Sequence, residues 1–195
     1  MHKSVLAIIA LALIGLTHAQ VESSGDCPSD VTVQSNFNVS AYLGVWYEYT
    51  KYPVYFEADG KCVKGEYTLK DNGEIGVVNS MINVTNNEYS ETVGYAVEVE
   101  NAKLKVIFPV SSDYNVTTNY WILSTDYVNY SVVYYCRPAD DSSHKTFAWI
   151  LTRERSPSEE FITIGKDVLT QNGVSLSELV VTDQSNCEAA ADNWS

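Results

Sequence analysis

From residue 45 onward, apolar and polar positions alternate with a period near two, in short runs separated by polar breaks. The runs are 45–50, 63–70, 74–84, 88–100, 103–110, 116–124, 127–136 and 144–154, and each is rich in valine, isoleucine, threonine and aromatic residues. Such runs are expected to form strands with one face against a core. Asp71-Asn72-Gly73, Asn86-Asn87 and Asn101-Ala102 supply tight hairpin turns, and 111–115 reads as a looser loop. Pro53 cannot donate to a sheet ladder, so 51–53 ends the first strand and 54–60 is a loop. Hairpins at near-constant spacing predict an antiparallel meander, and closing it removes the exposed edges.

After 154 the period changes. Ser156 with Glu159 forms a capping-box pattern, and Pro157 suits a first helical position. Phe161, Ile164 and Val168 recur on one helical face, and Asn172-Gly173 is a stop signal. Residues 179–181 read as a further short strand. Ahead of the first strand, an Asn/Ser-rich approach at 36–43 suits a short helical turn, with Gly44 as the bend. The fold class expected is all-β: an eight-stranded antiparallel up-and-down β-barrel with one C-terminal α-helix packed outside.

Composition narrows the setting. Lys3, an apolar run to Leu16 and the small residues around Ala19 make 1–19 a signal peptide, too short in its apolar part to span a bilayer. The remainder, 20–195, is read as a single secreted domain with no transmembrane segment. Its removal takes away one lysine and no acid, so the mature chain is still more acidic than the formal −13 of the whole. An acidic chain without basic clusters argues against nucleic acid and anionic membranes. Four cysteines in a secreted chain suggest two bridges, and arithmetic alone leaves three pairings open. Scarce histidines and the lack of a Cys-x-x-Cys pair give no metal site. Asn-x-Ser/Thr sequons begin at Asn38, Asn83, Asn115, Asn129 and Asn193, which makes glycosylation an expectation.

Gly44-x-Trp46, Thr125-Asp126-Tyr127 and Arg153 resemble, in order and separation, the three conserved regions of the lipocalins. Lys51-Tyr-Pro53, Gly60-Lys-Cys62, Glu66-Tyr-Thr68, Tyr134-Tyr-Cys136 and Phe147-x-Trp149 look most like the insect bilin-binding proteins and insecticyanins, with apolipoprotein D and Lazarillo proteins next. The resemblance implies that Gly44, Trp46, Thr125, Asp126 and Arg153 close one end of the barrel, with the arginine over the tryptophan. It also implies the bridges Cys27–Cys136 and Cys62–Cys187.

A barrel of this size holds one small molecule, and inward residues alternate with outward ones. If Cys136 faces out, Tyr135 and Val133 face in; taking Tyr120 and Ile122 inward leaves Asn115 outside. Phe147, Trp149 and Leu151 share a face. Asn79 and Met81 share one with Asn83, so either that strand ends before Asn83 or the parity fails. The pocket implied by the resemblance is Phe56, Asn79, Met81, Tyr114, Tyr120, Tyr135, Phe147 and Trp149, with methionine at 81 where the bilin-binding family has histidine. Glu57 is expected at the rim and His144 in a solvated loop.

The expected function is a carrier of a small hydrophobic molecule, with a non-covalent bilin such as biliverdin as ligand and no cofactor required. A lipid carrier like apolipoprotein D or Lazarillo is the alternative. No Gly-x-Ser-x-Gly, His-Glu-x-x-His or P-loop pattern occurs, so no catalytic residues are assigned and an enzyme is not expected. Haem through His144 would need an inward imidazole.

Overall fold

A computed structural model describes residues 20–187. The expected signal peptide at 1–19 and the sequon at Asn193 lie outside the described residues. In chain order the elements are β1 (Val21–Ser24), α1 (Val39–Tyr42), β2 (Gly44–Lys51), a single 3-10 turn (Tyr55–Glu57), β3 (Gly60–Leu69), β4 (Ile75–Asn83), β5 (Tyr89–Glu100), β6 (Lys103–Ser111), β7 (Tyr114–Thr125), β8 (Tyr130–Pro138), β9 (Ser143–Thr152), α2 (Glu159–Gln171) and β10 (Val180–Val181).

Strands β2 to β9 pair with their sequence neighbours, and β9 pairs back with β2 to close the barrel. At the closing seam, β9 uses Trp149 to Thr152 against β2, while its first residues pair with β1. The far end of β2 likewise pairs with β10. Two short strands therefore cover the edges that a splayed seam would leave bare. The sequence pattern does not show β1, because Val21-Glu-Ser-Ser24 has too little apolar alternation.

Alternation sorts the side chains into two clusters. Trp46, Tyr67, Val77, Leu104, Val106, Ile122, Val133 and Leu151 point inward and pack together. Val132, Tyr134, Ala148 and Ile150 point outward and are buried under Ile162 and Leu169 of α2. Strands β8 and β9 are thus apolar on both faces, as a strand between a lumen and a helix must be.

The helix differs from its expected form in two ways. Its N-cap is Ser158, with no side-chain cap bond, so the Ser156 capping box does not form and Pro157 stays ahead of the helix. Its buried face is Ile162, Gly165 and Leu169, while Phe161, Ile164 and Val168 are only half-buried. The cause is Gly165: a Cβ there would lie 3.0 Å from Cγ2 of Ile150. The helix makes its close approach on the residue with no side chain, which a hydrophobicity pattern does not register.

Disulfides join Cys27 to Cys136 and Cys62 to Cys187, over separations of 109 and 125 residues. The first ties the N-terminal segment to the outside of β8. The second ties the chain after β10 to the start of β3.

Candidate functional site

A meander places alternate loops at opposite ends. The β3–β4, β5–β6 and β7–β8 turns share one end with α1, and that end is closed. Arg153, just beyond β9, lies 3.7 Å above the Trp46 ring. It donates to the carbonyls of Val45 (2.7 Å), Leu43 (2.9 Å) and Tyr127 (3.0 Å). Gly44 has φ +98°, and a Cβ on it would stand 3.3 Å from Arg153 Nη1, so both the turn and the space ask for glycine. The Trp46 indole donates to the Tyr42 carbonyl at 2.8 Å.

Thr125 and Asp126 organise the β7–β8 turn. Thr125 Oγ1 accepts from the Tyr127 amide, and Asp126 Oδ1 accepts from the amides of Val128, Asn129 and Tyr130. Partial burial would raise the Asp126 carboxyl pKa, but these bonds and the Asn129 amide outweigh it and hold it below its ordinary value. These residues fix the closed end and leave the lumen to others.

The 3-10 turn and the loops at 84–88, 112–113 and 139–142 surround the opposite end. Phe56 (49% exposed) and Tyr114 (60% exposed) stand at this mouth. Farther in, Tyr135 and Phe147 stack at 5.2 Å with planes 19° apart, and Phe147 and Trp149 follow at 6.2 Å and 11°. Asn79 lies opposite Gly65, whose missing side chain makes room for its amide. Met81 lies beside Gly60, and Asn83 is the last residue of β4. Val77 belongs to the inner cluster, so Asn79 and Met81 face inward with it; the strand ends at Asn83, whose side-chain Oδ1 accepts from the Thr85 and Asn86 amides in the turn that follows. Asn79, Met81, Phe108, Tyr120, Tyr135 and Trp149 all point inward, yet each remains half-buried. These inward side chains therefore keep partial access to solvent inside the barrel.

Tyr120 has a different setting from the other pocket residues. Its hydroxyl is 2.9 Å from that of Tyr42 and accepts from Tyr67 at 3.0 Å, and Tyr42 also meets Ser131 at 2.9 Å. Burial raises the Tyr42 pKa to about 12 and carries those of Tyr67 and Tyr120 upward too, so the network is neutral. It forms the floor of the lumen. The sequence reading passed over Tyr42, Tyr67 and Phe108; the last two follow from the alternation of β3 and β6, whereas Tyr42 carries no such signal.

Two expectations change. His144 is in β9 and not in a loop; it is 8% exposed, faces outward, and its Nδ1 is 2.8 Å from the carbonyl of Gly25, the residue after β1. No inward imidazole remains there for haem. Glu57 sits at the mouth but turns inward to Lys51, which the sequence reading treated only as part of a strand break.

Residues 37–184 match the family model of the lipocalin-like domain. The chain belongs to the lipocalins. It is 40% identical over 186 residues to an apolipoprotein D of Oryctolagus cuniculus, covering 93% of this chain and 95% of that protein. Against the bilin-binding protein of Pieris brassicae it is 33% identical over 190 residues, covering 95% and 98%. Among solved structures it resembles insecticyanin of the tobacco hornworm Manduca sexta, with TM-score 0.78, 27% identity, and 86% and 91% of the two chains covered. The lipocalin barrel accounts for the closed end, and the lumen above its tyrosine floor is the candidate binding site.

Proposed function

We propose that this lipocalin is a secreted carrier that holds one small hydrophobic molecule in its lumen, and that a bilin such as biliverdin is its ligand. The observation that carries the reading is the aromatic wall of Tyr135, Phe147 and Trp149, whose nearly parallel rings suit a flat conjugated molecule. Asn79 and Met81 line the lumen beside it, with Phe56 and Tyr114 at the entrance. Likeness to a bilin-binding protein supports the same ligand class. The higher identity to apolipoprotein D favours a second reading, a carrier of extended lipids such as fatty acids or retinoids. Removal of 1–19 on secretion belongs to the proposal, as do glycans on Asn38 and Asn115, whose side chains are exposed. The Asn129 amide instead donates to Asp126 at 2.6 Å in the fold. The ligand needs no cofactor, and no residue is given a catalytic role.

The test is a titration of the secreted, disulfide-intact protein with biliverdin, followed by pigment absorption and tryptophan fluorescence. Saturation at one equivalent, weakened by Phe147→Ala or Tyr135→Ala and with less quenching in Trp149→Phe, is the expected result. A flat titration that becomes saturable with a fatty acid or retinol would favour the lipid reading.

A further inference from the structure

A buried ion cluster lies on the inner face of β2. The register of β2 shifts between Glu48 and Thr50, so Glu48 stands opposite Leu151 and Lys51 opposite Trp149. Both partners belong to the inward set, which puts Glu48 and Lys51 on the inner face. Lys51 Nζ is 2.9 Å from Glu48 Oε1 and 2.8 Å from Glu57 Oε2. Glu48 and Lys51 are 2% and 6% exposed.

The two carboxylates are held differently. Glu48 is part of the wall: its side chain accepts from the Thr182 hydroxyl, and its carbonyl accepts from Gln184 at 2.9 Å. Glu57 is the last residue of the one-turn segment at the mouth, beside Tyr55 and Phe56, which are 71% and 49% exposed. Two carboxyl groups thus share one ammonium in a poorly solvated place. Burial and the nearby Glu57 both push the Glu48 carboxyl pKa up, against the pull of Lys51. The second position on Lys51 is thus occupied by a group from a short segment at the mouth, and Lys51 also reaches the Glu57 backbone carbonyl at 3.5 Å.

We propose that Lys51 is a head-group site for the carboxylate of a hydrophobic ligand, and that Glu57 fills this site in the empty protein and is displaced on binding. This rests on the carrier reading and narrows its ligand class to molecules with a carboxylate on an apolar or conjugated body. The exchange replaces one carboxylate with another on the same ammonium, so the charge balance is unchanged, and Glu57 regains water at the mouth. Trp149 is beside Lys51, and Phe147 and Tyr135 continue from it along the body of the ligand.

The experiment compares biliverdin with its dimethyl ester, and retinoic acid with retinol, on the intact protein by fluorescence titration. The acids should bind at least about tenfold tighter than their neutral partners, a difference within reach of one desolvated charge pair. Glu57→Gln should tighten the acids several-fold and leave the neutral molecules nearly unchanged. Lys51→Met should abolish the preference while still binding the neutral probes, which also reports that it is folded. If Lys51→Met does not fold, the direction of the Glu57→Gln effect decides. Equal binding of acid and neutral forms, or a preference that survives in Lys51→Met, overturns the head-group site and leaves the carrier standing. Failure of all four probes overturns both.

Discussion

Arg153 covers Trp46 at 3.7 Å while its guanidinium donates to the backbone of the β2 approach and of the β7–β8 turn. One side chain therefore links three segments far apart in sequence. Lysine keeps the charge but lacks the planar fork and the flat stacking face. Arg153→Lys should lower stability by about 2–4 kcal/mol, since it weakens the ring contact and strands several carbonyls. The measurement is a urea midpoint. Ligand affinity should be unchanged, because the lumen lies on the far side of the tyrosine floor.

The helix interface gives a prediction with opposing terms. Gly165→Ala gains helix propensity of roughly 1 kcal/mol. The added methyl meets the fully buried Ile150 side chain at 3.0, 3.1 and 3.3 Å through Cγ2, Cδ1 and Cγ1. Overpacking of that kind costs about 1–3 kcal/mol, so the variant should be less stable than the parent. Pairing it with Ile150→Val should recover part of the loss; a more stable single variant on thermal melting would show that the helix is not docked this closely.

The barrel was legible because its information is local. Alternation names the eight strands, Asp71-Asn-Gly73 names a turn, and parity places Tyr135, Phe147 and Trp149 inside. What was not legible depends on partners distant in sequence. The helix face turns on Gly165 meeting Ile150, and the helix start on Ser158 in place of Ser156. His144 is buried where the unforeseen β1 pairs alongside β9 and Gly25 meets its ring. Lys51 and Glu48 share the inner face only because of an irregularity in β2, which strict alternation would have put on opposite sides.

Asp126 predicts a specific acid limb. Its folded pKa is depressed below the ordinary 3.8, so it binds protons less readily in the folded chain than in the unfolded one. The stability it contributes is complete above the ordinary value and is lost as pH falls through the folded one. Asp126→Asn keeps an oxygen acceptor for the turn amides but does not titrate. Urea unfolding at a series of acidic pH values should show a shallower loss for the variant, and parallel curves would remove Asp126 from the account.

The disulfides should matter unequally by function but similarly by entropy. Closing loops of 109 and 125 residues is worth about 4–5 kcal/mol each in the chain-entropy model. Cys27→Ser with Cys136→Ser should lower stability and leave binding intact, since that bridge lies outside β8. Cys62→Ser with Cys187→Ser loosens the segment that carries Thr182 and Gln184 onto Glu48, so it should weaken ligand binding as well. Thermal melts and titrations on both double variants separate the two effects.

Tyr120 distinguishes a floor from a pocket wall. Its ring faces the lumen, but its hydroxyl serves Tyr42 and Tyr67. In Tyr120→Phe the apolar face is kept, Tyr42 retains Ser131, and the Tyr67 hydroxyl loses its acceptor in a buried site. That unpaired group should cost about 1–3 kcal/mol of stability. Affinity for biliverdin or a retinoid should change by less than about threefold if the hydroxyl never reaches the ligand, since threefold is only about 0.65 kcal/mol. A large loss of affinity with stability unchanged would instead make Tyr120 a hydrogen-bond partner of the ligand and return it to the pocket. Because Tyr42 and Tyr67 ionise only at strongly alkaline pH, the comparison at neutral pH reads the neutral network alone.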